Sequence, residues 1–123
     1  MIRPRHLTAM AHVKDVAASA AWYEKLGFAM DSDYTPHGEL CWAWLSSGEG
    51  GAHLMLTKAD PPVDPQAQGV LFYLYYDDVQ AAHAQAAAAG LEPGAMAHPF
   101  YCPKGEFRLR DPDGYCVMCT HAG

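Results

Sequence analysis

The stretch Asp15-Val-Ala-Ala-Ser-Ala-Ala-Trp-Tyr-Glu-Lys-Leu-Gly27 returns 63 residues later (78 − 15) as Asp78-Val-Gln-Ala-Ala-His-Ala-Gln-Ala-Ala-Ala-Ala-Gly90. In each copy an Asp able to cap a helix opens an Ala-rich run, and a Gly 12 residues on supplies its stop. The same offset lays Gly51 on Gly114, Met55 on Met118 and Thr57 on Thr120, so the repeat extends well past the helix. Two copies of one supersecondary unit build the chain.

At 123 residues the chain has the length of one domain, and its two repeats must share a core. We therefore expect a single domain spanning 1–123, with a first module over about 5–57, a linker at 58–69 and a second module over about 70–121. The linker, Lys58 to Gly69, carries Pro61, Pro62 and Pro65 and is unsuited to regular structure. A formal net charge of -6 and only eight Lys and Arg give no clustered basic surface, which argues against nucleic acid and against acidic membranes as partners. No signal-like or bilayer-length apolar run occurs, and the expected location is cytoplasmic. Cys41, Cys102, Cys116 and Cys119 raise the question of a disulfide or zinc site. The Cys116-Val-Met-Cys119 pair lies in a strand-like run, where residues three apart point to opposite faces, so free buried thiols are expected.

Around each helix the pattern predicts strands. Module 1 reads as His6 to Val13, helix Asp15 to Leu26, then Phe28 to Tyr34, Leu40 to Leu45 and Ala52 to Thr57. Module 2 repeats the order: Val70 to Tyr76, helix Asp78 to Ala89, then Ala95 to Tyr101, Glu106 to Arg110 and Tyr115 to Thr120. Asp111-Pro-Asp-Gly114 is a type I turn signal between the last two. The fold class is α+β: tandem βαβββ modules forming a curved, mostly antiparallel sheet around a cleft, with the helices outside. Alternation assigns Leu7, Ala9, Ala11 and Val13 to the helix side of the first strand and Thr8, Met10 and His12 to the other. By the same rule Phe72, Leu74, Tyr76, Leu54, Leu56, Val117 and Cys119 go under the helices. Leu71, Tyr73, Tyr75, His53, Met55, Thr57, Cys116, Met118 and Thr120 go to the opposite face. That face is rich in Met, Tyr and His, the composition of a ligand-lined surface.

Three segments carry a resemblance to a known family. They are Val13-Lys-Asp-Val-Ala-Ala-Ser-Ala-Ala-Trp-Tyr-Glu-Lys-Leu-Gly-Phe28, the helical segment opening at Tyr76-Asp77-Asp78-Val79-Gln80, and Glu106-Phe-Arg-Leu-Arg-Asp-Pro-Asp-Gly-Tyr115. With the tandem modules, they resemble the vicinal oxygen chelate superfamily, which includes glyoxalase I, extradiol dioxygenases, fosfomycin-resistance enzymes and bleomycin-resistance proteins. In metal-dependent members the resemblance implies ligands on the first and last strand of each module. The matching positions here are Thr8, Met55, Leu71 and Met118. Leu offers no donor, Met is soft and Thr is weak, so neither a metal nor another cofactor is expected. The chain is more similar to the metal-free bleomycin-resistance branch, which implies sequestration of a flat ligand and a homodimer.

The expected partner is thus a small molecule, aromatic or heteroaromatic, held in a groove. Its expected contacts are Met10, His12, Trp42, Trp44, His53, Met55, Tyr73, Tyr75, Arg108 and Met118, while no catalytic residue is assigned. Acidic charge favours a cationic ligand, whereas Arg108 and Arg110, if they face the groove, favour an anionic one. Two rival classes stand beside this expectation. One is an enzyme: a glyoxalase-like lyase or dioxygenase with a shifted site built from His6, His12 or His53 completed by Glu106 or Glu39, or a cofactor-free isomerase using His12 or His53 as base. The other is a protein-interaction or immunity-like module.

Overall fold

The duplication read from the helices is present in the backbone of the computed structural model, which describes residues 1–49 and 51–123. Module 1 comprises β1 (Met10–Val13), α1 (Val16–Glu24), β2 (Ala29–Tyr34), a 3-10 turn (Pro36–Gly38), β3 (Trp42–Ser46) and β4 (His53–Lys58). Module 2 comprises β5 (Leu71–Tyr76), α2 (Val79–Ala88), β6 (Glu106–Arg110) and β7 (Cys116–His121). Asp15 caps α1 by accepting from the Ala18 amide at 3.0 Å, and Asp78 caps α2 by accepting from Ala81 at 3.0 Å. The strand registers preserve the sequence offset. Met10 lies opposite Met55 and Val13 opposite Lys58, while Tyr73 lies opposite Met118 and Tyr76 opposite His121.

The strands form two sheets, ordered β1-β4-β3-β2 and β5-β7-β6. In each, first and last strands of the module pair in parallel and the remaining neighbours are antiparallel. The fold is α+β, as expected. Residues of both modules contribute to a common buried cluster: Val13, Val16, Tyr23, Leu45 and Leu56 from one, Val79, Ala86, Phe107, Leu109 and Val117 from the other. β1 and β5 are edge strands of separate sheets that line common cavities at a seam, and among the described residues no strand pairing joins them. Side chains bridge that seam instead. The Tyr76 hydroxyl donates to the Leu26 carbonyl at 2.7 Å, the Gln85 side-chain amide donates to Lys25 at 3.1 Å, and the Tyr115 hydroxyl donates to His12 at 2.9 Å.

Two expected strands are shortened. β1 begins at Met10 rather than His6, and Leu7, expected under the helix, is 92% exposed. Pairing reaches back only to Ala9, whose carbonyl accepts from the Met55 amide. The expected strand over Ala95 to Tyr101 survives as one bridge, Ala97 to Glu106. Pro93 and Pro99 flank it and lack the N–H groups a continuing ladder requires, so the second sheet has three strands where the first has four.

The Asp111–Gly114 turn between β6 and β7 is buried against module 1. Asp111 Oδ1 accepts from the amides of Asp113 and Tyr115, both at 2.9 Å, and Oδ2 accepts from the buried Tyr23 hydroxyl at 2.7 Å. Asp113 accepts from the Lys14 amide at 2.9 Å and from the Ser19 hydroxyl at 3.3 Å. Gly114 closes the turn at φ +87, and a Cβ there would stand 2.3 Å from Cβ of Pro65, so the turn also seats the linker. Burial raises the Asp111 carboxyl above its ordinary value despite these donors, and burial together with the adjacent Asp111 pushes the Tyr23 phenol far up.

Tyr23→Phe leaves Asp111 Oδ2 without its donor and is expected to cost about 1–3 kcal/mol, read as a lowered urea midpoint at unchanged m value. The raised carboxyl also has a signed consequence. The folded state binds the Asp111 proton more readily than the unfolded chain, so this group's contribution to stability falls as pH rises from about the ordinary 3.8 through the raised folded value. Asp111→Asn removes that slope, and the stability gap between variant and wild type is expected to narrow over the same window in pH-dependent unfolding.

Candidate functional site

Both helices lie on one side of the sheets, which leaves two uncovered faces. On the first sheet, Met10, Met55 and Trp44 form one row across β1, β4 and β3, and His12, Thr57 and Trp42 form the next. Met10 is 48% exposed, His12 and His53 are exposed, and Trp42, Trp44 and Met55 are half-buried. The Trp44 and His53 rings approach to 5.2 Å between centroids, tilted by 37°. This is the aromatic and thioether face anticipated from strand alternation.

On the second sheet, Tyr73, Met118 and Arg108 form a row across β5, β7 and β6, followed by Tyr75, Thr120 and Glu106. Tyr73 and Tyr75 are 46% and 67% exposed, with ring centroids 6.4 Å apart, whereas Met118 on the central strand is buried. Arg108 and Arg110 point to this open side while Phe107 and Leu109 enter the core, as the cost of burying guanidinium groups requires. The Arg110 guanidinium donates to the Gly114 carbonyl at 3.1 Å.

Three cavities lie along the seam between the sheets. One of about 330 Å³ is lined by Phe28, Ala52, Tyr73 and Tyr75, and one of about 270 Å³ by Ala9, His53, Leu71 and Tyr73. A third of about 380 Å³ includes Met10, His12, Phe72 and Tyr115. Of the ten residues expected to contact a ligand, Met10, His12, His53, Tyr73 and Tyr75 line these seam cavities. Trp42, Trp44, Met55, Arg108 and Met118 stand on the open faces beside them.

Sequence reasoning assigned Ala95 to Tyr101 to a strand and so missed the turn that runs from Pro99 to Gly105. It turns back over the end of the second sheet, where the Tyr101 hydroxyl donates to Glu106 Oε1 at 2.7 Å and Cys102 Sγ shares a 2.9 Å hydrogen bond with Thr120 Oγ1. The Phe100 and Tyr101 rings meet edge to face at 5.4 Å and are 95% and 63% exposed. Two adjacent aromatics between Pro99 and Pro103 were the available signal, hidden by assigning the region to a strand.

A hard metal does not fit these residues. The matching positions carry Thr8, Met55, Leu71 and Met118, and among the described residues no group of three or more His, Cys, Asp and Glu is placed to hold an ion. The alternative histidine set does not assemble either. His12 lies opposite Thr57 and His53 opposite Ser46, which separates them by four residues, about 13 Å, along the parallel β1 and β4 pair. Glu39 is engaged by Lys58 and Glu106 belongs to the other sheet.

The family model of the glyoxalase/bleomycin resistance protein/dioxygenase superfamily matches residues 5–118. The chain belongs to this superfamily. None of the curated protein sequences compared with it matches. Among solved structures, a bleomycin-binding protein complexed with bleomycin superposes with a TM-score of 0.78 at 22% identity, covering 98% of this chain and 100% of that one. An antibiotic-binding protein from Streptomyces sp. CB03234 gives 0.78 at 20% identity, with both chains covered in full. The bleomycin-binding protein from bleomycin-producing Streptomyces verticillus, complexed with copper(II)-bleomycin, gives 0.71 at 22% identity, again over 100% of both chains. At these identities the likeness establishes the superfamily fold. Among the described residues no helix is long and apolar enough to cross a membrane.

All four cysteines are free thiols, and the CxxC pair lies along β7 as expected. Three are buried and Cys41 is half-buried, a small departure from the expectation of four buried thiols. Burial pushes the fully enclosed Cys119 thiol up to about 12, while the bond to Thr120 lowers that of Cys102. Under native conditions near neutral pH, iodoacetamide is expected to modify Cys41 and leave Cys119 untouched. Unfolding without reductant should yield four modified sites by intact mass, and fewer would indicate a disulfide.

Proposed function

We propose that this chain is a metal-free binding protein that sequesters an aromatic or heteroaromatic small molecule along its open sheet faces, acting as one two-module domain within a homodimer. The observation that supports this most is the pair of uncovered faces. Met10, Tyr73 and Tyr75 expose about half or more of their surface on strands whose other sides form the core, and Trp42, Trp44 and Met55 lie half-covered on the sheet that carries Met10. Contiguous apolar and aromatic surface of this kind is rare on a protein without a partner or ligand. Indole, phenol and thioether groups suit a flat π-system, and the indole N–H and phenol O–H add hydrogen-bonding positions at its edge. Structural neighbours bound to bleomycin support the same class of ligand, and a second copy facing the open sheets would turn each exposed face into a groove. The ten face residues have binding roles in this reading, and the chemistry requires no cofactor.

Titration monitored by tryptophan fluorescence tests it, using bleomycin and the neutral fluorophore N-acetyl-dansylcadaverine, with elemental analysis of the same sample. Saturable quenching without stoichiometric metal is the expected result. Trp44→Ala should weaken binding about tenfold, roughly 1.4 kcal/mol, with little change in stability. Sedimentation equilibrium is expected to give twice the chain mass. Absence of binding to either probe, or one tightly held ion per chain, would overturn the proposal.

A further inference from the structure

The second sheet contains a polar atom that the fold leaves without a role. Glu106 is only 5% exposed, and its backbone is fixed by reciprocal hydrogen bonds with Ala97 at 2.9 and 2.8 Å. Oε1 accepts from Tyr101, but Oε2 is buried with no hydrogen-bond partner among the described residues. A carboxylate can accept about four hydrogen bonds, and buried carboxylate oxygens are almost always paired. The neighbouring groups are committed elsewhere. Across the strand pair, the Thr120 hydroxyl is engaged with Cys102. Arg108 projects from the same face two residues on, about 7 Å away along the strand, yet forms no ion pair with Glu106.

We infer that Glu106 is the anchor for a cationic nitrogen donor, a protonated amine or guanidinium, carried by the aromatic ligand. The inference rests on the ligand-binding reading above and specifies the ligand's chemistry. The row Tyr75, Thr120, Glu106 places the carboxylate on the same face as the exposed tyrosines, two strand spacings or about 10 Å from Tyr75, so one molecule can stack on Tyr73 or Tyr75 and extend a charged arm toward Glu106. A charged donor is favoured over a neutral one because a charge-assisted bond is roughly twice as strong, and the chain's net charge of -6 attracts cations rather than anions. Tyr101 acts as the placeholder. Its hydroxyl is the one donor to the Glu106 side chain among the described residues, so the arriving cation takes over the carboxylate as this exposed side chain rotates outward.

Dansylcadaverine, which carries a primary ammonium, and its neutral N-acetyl derivative form a matched pair of probes. Their affinities for wild type, Glu106→Gln, Tyr101→Phe and the remote control Glu24→Gln are compared at 0.15 M salt by probe fluorescence. The ammonium probe is expected to bind wild type and Glu24→Gln about tenfold more tightly than the neutral one. Glu106→Gln should bring the two probes within about twofold while leaving the neutral affinity unchanged. Tyr101→Phe, which keeps the ring but frees the carboxylate, should widen the preference a few-fold. If both probes bind wild type equally, or Glu106→Gln preserves the preference, the anchor assignment is overturned while the binding reading stands. A preference lost equally in Glu24→Gln would assign it to net charge and overturn the anchor. If neither probe binds wild type the anchor assignment is overturned, and the binding reading falls with it when bleomycin also fails to bind.

Discussion

The buried Asp111–Gly114 turn is the constraint on which the rest of the molecule depends. Two modules that share no strand pairing across the β1 and β5 edges need another way to fix their relative position. The turn supplies it through directional bonds: Asp111 to the Tyr23 hydroxyl on α1, Asp113 to Ser19 on the same helix and to the Lys14 amide at the end of β1. Buried hydrogen bonds to charged acceptors have narrow geometry and costly alternatives, so they set orientation where hydrophobic contact alone would permit sliding. The raised Asp111 carboxyl shows that desolvation outweighs the donors gathered around it. Position is gained here at some expense in stability.

Much of the fold was legible in the chain because its signals are local and repeated. Asp15 and Asp78 cap helices by the same bond three residues on, Gly27 and Gly90 follow at positive φ, and strand alternation correctly placed Leu54, Leu56, Val117 and Cys119 in the core. The failures were of length and pairing. Residues His6 to Ala9 alternate like a strand, yet a strand needs a neighbour, and only the Ala9 carbonyl finds one. Ala95 to Tyr101 has acceptable local pattern, and the prolines at its borders limit it to a single bridge. Whether two sheets join or stand apart depends on edge contacts more than sixty residues distant in sequence, which periodicity does not encode.

The candidate site was legible in composition and less so in assembly. Alternation put Met10, Trp42, Trp44, Met55, Tyr73 and Tyr75 on the side away from the helices, and the registers set them in rows. It gave no information on the distance between the rows of the two sheets. Nor did it reveal Glu106 beneath Tyr101, because that contact arises from a turn read as strand. The histidines show the same limit: His12 and His53 share a face, and four residues of strand keep them apart.

Duplication explains why the two faces differ so much while the backbones agree. Helix-side positions in both modules meet the same demand, close packing under an Ala-rich helix, and apolar residues satisfy it on either side. Open-side positions meet no such demand and are free to diverge. The equivalent rows now read Met10, Met55 and Trp44 in one sheet and Tyr73, Met118 and Arg108 in the other. One face is apolar and polarizable; the other carries phenols, a guanidinium and a half-satisfied carboxylate. A symmetric scaffold with asymmetric faces suits a ligand that is itself asymmetric, a flat apolar body with a charged arm. On that argument specificity resides in the positions where the repeat is broken, and those are the positions the core leaves free.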